Sequence, residues 1–412
     1  MPVEFLGMGA GSDSTETTPA TTAFFDPAYA VEIARAHEDN GWDHLLFAYN
    51  TTLQDPIVQA AWVAAHTGRI QLRIAHRPNV SHPTYAARSF LTLDHLAGGR
   101  VTVHFITGGS QADQAREGDR LPKDERYRRT REYIQVVRRI WETGGPFDWH
   151  GEFYEFEDFS TGLRPVAGRR PGISFGGSSE AAWQVGAAVA DIYALFGEPL
   201  DDAAAQQQQI LDRAAALGRS APLRWQIAFR PIIAPTDEQA WEKAHQILGR
   251  LTARRDGGEV IDPLRHHSRP PEAAGTRRLL EAASRGDHHD RALWTALATA
   301  AGGGGGSATA LVGSYDTVTQ ALLDYTDLGF EIFGLRGYDL VADAREFGQH
   351  VIPQVRAEVA RREAGSTPDQ LRAEHATDRR QRRGPTTSAP ASRDATLTEQ
   401  NAGGSGKPPP RP

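Results

Sequence analysis

Among its 412 residues the chain has no cysteine. Disulfides, thiol catalysis and cysteine-based zinc sites are therefore excluded. No stretch approaches the ~20 consecutive apolar residues of a membrane-spanning helix. A basic excess is missing too: 45 Lys and Arg stand against 52 Asp and Glu, a formal net charge of -7. That balance argues against a nucleic-acid footprint across the whole chain. The opening MPVEFLGMGAGSD has no basic start and only a short apolar run, so no secretory signal is read there and a cytoplasmic protein is expected.

What is present is a regular alternation. Apolar strand-like runs occur at residues 3–8, 44–49, 70–76, 100–107, 172–177, 190–197, 223–234 and 332–338, with amphipathic helical stretches between them. Asp26-Pro27 and Asp55-Pro56 open two of those helices in the same way, a capping side chain followed by a residue suited to the first turn. FDWHGEFYEFEDF (147–159) reads as a small β-excursion. Eight strands, each followed by a helix, predict a TIM (β/α)8 barrel with its chemistry at the C-terminal strand ends.

Two stretches break the rhythm. Residues 255–306 lie between the seventh and eighth strands and hold RHHS, a helical TRRLLEAASRGDHHDRALWTALATAA and the run Gly302–Gly306. A lid hinged at those glycines is expected, docked through Leu293 and Trp294; a surface spacer is the plainer reading. The clusters RHHS and DHHD are expected to be solvated rather than metal-binding, because adjacent histidines on a helix point apart. From Ala364 to Pro412 apolar residues almost vanish, which predicts a disordered tail.

Within the barrel pattern, ISFGGSSEAAW (173–183) runs from a strand through two glycines and two serines into a helix. Such a corner suits a phosphate, with Ser178 and Ser179 as the hydroxyls. One of the two serving as an ordinary helix N-cap is equally consistent with these residues.

Several segments together resemble the luciferase-like flavin monooxygenases, and specifically the alkanesulfonate monooxygenase branch. They are RPNVSHPTYAARSFLTLDHLAGGR (77–100), FITGGSQAD (105–113), DERY (124–127), ISFGGSSEAA (173–182), FGEP (196–199), TALVGS (309–314) and Gly337-Tyr338. The likeness spans residue 3 to about residue 356. It implies reduced FMN delivered by a separate NAD(P)H:flavin reductase. With O2 a flavin (hydro)peroxide would form and oxygenate a small organic substrate, organosulfur compounds among the classes. A homodimer or homotetramer without nucleic-acid or membrane partners goes with it. An F420-dependent oxidoreductase of the same superfamily, or a non-catalytic flavin-binding barrel, is the alternative.

By the same resemblance the FMN phosphate falls to Ser178, Ser179 and Tyr127, and the flavin ring or ribityl chain to Thr107. Arg230 and Tyr338 keep the branch's catalytic arginine and tyrosine. His104 stands where the branch has asparagine; it and Arg230 are candidates to act near the oxygenating centre. Tyr49, Asn50, His76 and Arg336 are candidates for the substrate side. The pattern departs at Ile232 and Leu340, where histidines are expected, and at Leu53, where a cysteine is expected. No arginine lies between Arg291 and Arg336. These departures count against a free alkanesulfonate as substrate.

Overall fold

Helix starts follow the side chains that cap them. In the computed structural model, which describes residues 2–21, 23–143, 145–257, 271–301 and 309–365, Asp26 accepts from the amides of Ala28 (2.8 Å) and Tyr29 (3.2 Å). Asp55 does the same for Ile57 (2.9 Å) and Val58 (3.0 Å). A carboxylate there satisfies amides that the helix leaves unbonded. The strands are β1 (Glu4–Gly9), β2 (His44–Phe47), β3 (Gln71–His76), β4 (Val101–Phe105), β5 (Phe147–His150), β6 (Glu155–Phe159), β7 (Gly172–Gly176), β8 (Ile192–Phe196), β9 (Arg224–Ala234), β10 (His288–His289), β11 (Leu293–Trp294), β12 (Ala310–Ser314) and β13 (Ile332–Leu335).

Eight of them close a parallel barrel in the order β1-β2-β3-β4-β7-β8-β9-β13, with β13 returning to β1. All eight coincide with the strands expected from sequence. The β-excursion is the antiparallel hairpin β5–β6.

Strand alternation sorts side chains to two faces. Phe5, Leu72, Ile74, Val103, Phe105, Phe175, Phe229 and Phe333 point outward into one continuous core under the helices. The inner face mixes polar and small residues with a separate apolar cluster of Leu6, Leu46, Ile192 and Ile332. Arg73 on β3 hydrogen-bonds Gln226 on β9, strands that are not neighbours, so both side chains cross the barrel interior.

The segment between β9 and β13 departs from the sequence expectation. β9 pairs with β13 only as far as Phe229, then runs on from Arg230 to Ala234 beside β12. TRRLLEAASRGDHHDRALWTALATAA is not one helix: α9 (Ala274–Ser284) ends, the short β10–β11 pair follows, and α10 (Ala296–Ala300) resumes. Gly286 (φ 147°) and Asp290 (φ 50°) turn the chain with backbone conformations a helix cannot hold. His288 and His289 are therefore on a strand, not a helix. His288 packs on Trp241 (ring centroids 5.0 Å apart), and a ring nitrogen of His289 lies 2.8 Å from the Gly286 carbonyl. Leu293 and Trp294 are buried, and Trp294 joins Ile232, Val312 and Tyr338 in a smaller apolar cluster. RHHS at 265–268, the expected hinge Gly302–Gly306 and nearly all of the expected tail lie outside the described residues.

Candidate functional site

The corner after β7 carries three of the expected cofactor residues together. Gly177 takes φ 141°, where a side chain is disfavoured, and its carbonyl accepts from the Tyr193 hydroxyl at 2.8 Å. Ser179 caps α6 (Glu180–Val189), accepting from the Ala182 amide at 3.3 Å. Tyr127, one turn into α5 (Lys123–Glu142), is hydrogen-bonded with Ser179, and burial holds its phenol above the ordinary value. Ser178 is different. It is only 8% exposed, and its hydroxyl has no hydrogen-bond partner among the described residues. The hydroxyl oxygen itself is not sealed from solvent, so it is free to meet a ligand at this corner. Thr107, beyond the end of β4, is buried and donates to Thr130 on α5 at 3.2 Å.

Looking down the barrel from that end, the inner face narrows to small residues. Gly176 sits against Ala194, and a Cβ on it would lie 2.8 Å from the Ala194 carbonyl and 3.5 Å from the His104 ring. Gly334 likewise faces Ala228. Below them His104 bonds Ser174 through Nδ1 at 2.9 Å. Burial, and then the nearby positive charge of Arg73, push the His104 pKa down to about 3. The ring is neutral at physiological pH and can offer or accept one hydrogen bond, not a stored proton.

Across the mouth stand Arg230, Arg336 and Tyr338. The guanidinium of Arg230 lies 3.9 Å from the Tyr338 ring centroid and donates to the carbonyls of Arg336 (2.9 Å) and Gly337 (3.0 Å). Both arginines also hold Glu16, which sequence reasoning missed: Arg230 reaches it at 3.2 Å and Arg336 at 2.7 Å. Burial works to raise the Glu16 carboxyl, but Arg230 and Arg336 outweigh it and hold the group well below the usual carboxylate range. Burial raises the Tyr338 phenol, which therefore remains a donor.

The remaining candidates sit apart. Tyr49 donates to Glu117 under the Arg77 guanidinium, which lies 5.0 Å from its ring centroid and bonds Glu117 at 2.8 Å and Asp113. Asn50 accepts from Thr52 at 2.8 Å within the same loop. His76 is on the outer face of β3, 2.7 Å from the Tyr133 hydroxyl and packed edge-on to Phe90. Burial pushes its pKa to about 3. It does not face the mouth. Of the departures from the branch pattern, Ile232 is fully buried, Leu340 is buried at the start of α12 (Leu340–His350), and Leu53 is 42% exposed.

The structure thus joins a parallel eightfold barrel, a hydroxyl-lined, helix-capped corner and two arginines across its mouth. Residues 5–331 match the model of the Luciferase-like monooxygenase family, so the chain belongs to that family. Its fold is also similar to solved structures of low identity. A riboflavin lyase, RcaE, solved with modified FMN and riboflavin, is 22% identical, with 87% of this chain and 92% of that one covered at a TM-score of 0.70. DmoA from Hyphomicrobium sulfonivorans is 20% identical over 87% and 89% of the chains, TM-score 0.69. An F420-dependent secondary alcohol dehydrogenase is 15% identical over 86% and 99%, TM-score 0.61. Among the described residues no helix is long and apolar enough to cross a membrane.

Proposed function

We propose that the chain is the oxygenase of a two-component system, taking reduced FMN from a separate NAD(P)H:flavin reductase and using O2 to oxygenate a small organic substrate. The observation that carries this reading is the set of hydroxyls gathered at the β7 corner, with Ser178 beside the Ser179 cap and Tyr127. Hydroxyls and amides at a helix start suit a phosphate dianion through charge-assisted hydrogen bonds and the helix dipole. Gly176, Ala194, Ala228 and Gly334 keep the inner side chains small at that end of the barrel, which suits a flat ring, with the two glycines close against Ala194 and Ala228.

When bound, the reduced flavin would supply the activation of oxygen, the step for which the protein has no side chain of its own. The chain's residues would do the rest. Ser178, Ser179 and Tyr127 would fix the phosphate, and Thr107 the polar chain leading from it. Neutral His104 would offer a hydrogen bond without adding charge. Arg230, with Arg336 beside it, would face developing negative charge or an acidic substrate group in a site of low dielectric. Tyr338 would hold the Arg230 guanidinium plane through its ring. Tyr49 and Asn50 belong on the substrate side of this reading through the loop they stiffen; His76, packed outside the barrel, has no part in it.

Oxygen uptake tests the reading. With FMN, a flavin reductase and NAD(P)H, the protein should direct oxygen into product when offered sulfones, sulfonates, thioethers and cyclic organic compounds in turn. If instead reduced F420 is oxidised in its presence with no oxygen consumed, the chain is a hydride-transfer enzyme.

A further inference from the structure

We propose that Glu16 stands in for the acid group of the substrate. Its carboxylate occupies the two mouth arginines and latches to them the loop between β1 and α1 (Pro27–Asp39). An incoming organic acid, carboxylate or sulfonate, displaces it and frees the loop. This rests on reading Arg230 and Arg336 as the substrate side of the mouth.

The arginine pair is held ready by groups other than Glu16. Arg230 donates to the carbonyls of Arg336 (2.9 Å) and Gly337 (3.0 Å), and its guanidinium lies against the Tyr338 ring. That turn is itself fixed from α12, where Asp343 accepts from the amides of Tyr338 (2.6 Å) and Asp339 (2.9 Å). The remaining reach of Arg230 goes to both oxygens of Glu16, at 3.3 and 3.2 Å. Arg336 adds a bond of 2.7 Å to one of them, while its own Nε is buried without a partner among the described residues. Two guanidiniums converging on one carboxylate form a receptor for an acid group. The acid now in it belongs to the chain.

The loop that carries Glu16 is tied down by charge rather than by apolar burial. Its base is closed where the Asp26 amide donates to the Gly11 carbonyl at 2.7 Å, and Gln54 holds the Phe24 carbonyl close by. Its apolar side chains Pro19, Ala20, Ala23 and Phe24 are exposed. Thr15 and Thr17 are buried, but their hydroxyls bond each other at 3.2 Å, and the Thr21 amide bonds Asp13 at 2.9 Å. These contacts stay within the loop and keep its shape. Further out it meets arginines: Arg254 on α8 (Asp237–Asp256) donates to the carbonyls of Thr15 (3.1 Å) and Glu16 (2.8 Å) beside the side-chain grip of Arg230 and Arg336. Releasing such contacts uncovers none of those apolar side chains, and a second acid gives the two mouth guanidiniums equivalent bonds. A loop closed at its base and held by ions moves as a unit.

The test compares hydrogen exchange of the full chain alone, with propionate (the acid of the Glu16 side chain itself) and with neutral propionamide, all at one ionic strength. Calorimetric titration adds the affinities of the parent and of Glu16→Gln, which fills the same space without the charge. Propionate should speed exchange at residues 13–21 of the parent, and propionamide should not. The mouth of the parent accepts the acid only in the fraction of molecules where Glu16 is away, so Glu16→Gln should bind propionate on the order of tenfold more tightly. Exchange in the parent decides even where the variant folds poorly. If propionate binds but exchange at 13–21 is unchanged, or if propionamide acts as propionate does, the latch is wrong and the mouth reading stands apart from it. Weaker propionate binding by a folded Glu16→Gln would make Glu16 a positioning residue for the arginines and also overturn the latch. If neither protein binds propionate, the reading of the mouth falls with it.

Discussion

The barrel carries an ion cluster at each end, and the two are built to opposite plans. At the bottom, Arg224 pairs with Glu4 (2.9 Å) and Glu331 (2.6 Å), and His44 donates to Glu4 at 2.8 Å. Burial keeps His44 below its ordinary pKa, so at neutral pH it donates as a neutral ring and Arg224 supplies the charge. Carboxylates are in excess within reach of one guanidinium, and Arg73 above them adds a second positive charge that the Glu4 field favours. At the mouth the count is reversed: within hydrogen-bonding reach of Arg230 and Arg336 stands the single carboxylate of Glu16. Charge at the bottom is matched by the chain itself. At the mouth two guanidinium groups share one carboxylate, and on the proposed reading the remaining charge meets a ligand.

The sharpest way to break this comparison is Arg230→Ala. Product formation should fall on the order of 100-fold or more, the scale for losing a group that meets developing charge, while flavin affinity stays within about twofold. Collapse of flavin binding in that variant would move Arg230 into the cofactor site. Next in size, Ser178→Ala with Ser179→Ala should weaken reduced FMN by ~10–100-fold, from losing charge-assisted hydrogen bonds worth roughly 1.5–3 kcal/mol. Anaerobic titration reads it directly, and reduced riboflavin should bind the variant as it binds the parent.

The bottom cluster should register in stability instead. Burial opposes ionisation of Glu4, yet the His44 hydrogen bond and Arg224 bring its carboxyl from 4.5 down to about 2. A depressed carboxyl stabilises the fold above its unfolded pKa, and that contribution is lost as pH falls from about 4.5 towards 2. The full shift corresponds to roughly 3 kcal/mol at neutral pH. Glu4→Gln should therefore flatten part of the acid limb of the stability curve while leaving turnover per folded molecule unchanged at pH 7. A loss of turnover without loss of stability would contradict the division between the two ends. The smallest effect expected concerns His104. Because its pKa lies at about 3, His104→Gln should leave the shape of the pH–rate profile between pH 5 and 8 unaltered, even where the rate drops. A profile limb that disappears in this variant would assign the titration to His104.

Much of this geometry can be read from the residues, and the exceptions have physical causes. The eight strands announce themselves because each is an apolar run bounded by a cap or a glycine. The β7 corner announces itself because two glycines and two serines sit between strand and helix. Strand parity also carries more than the apolar runs do: in QLRIAH, Arg73 and Ala75 share one face and His76 the other, so an inward Arg73 already turns His76 outward. Glu16 carries no such mark. It lies in GSDSTETTPATT, without periodicity, and its partners are 214 and 320 positions away. The inserted segment is opaque for another reason. Ala- and Arg-rich residues from 276 to 301 favour helix locally, but pairing with β12 and the turns at Gly286 and Asp290 override that preference. Nor does the sequence show that α9 would come to rest against Ser178, since Gly275 looks like any helix glycine until Phe196 is beside it.

One measurement bears most directly on the mouth and the corner as the receiving end for a phosphorylated flavin. It is anaerobic titration of the unaltered protein with reduced FMN, reduced riboflavin and reduced F420 under identical conditions. Reduced FMN should bind at least tenfold tighter than reduced riboflavin, the difference being the phosphate, and tighter than reduced F420. Equal affinity for FMN and riboflavin, or a clear preference for F420, would contradict it.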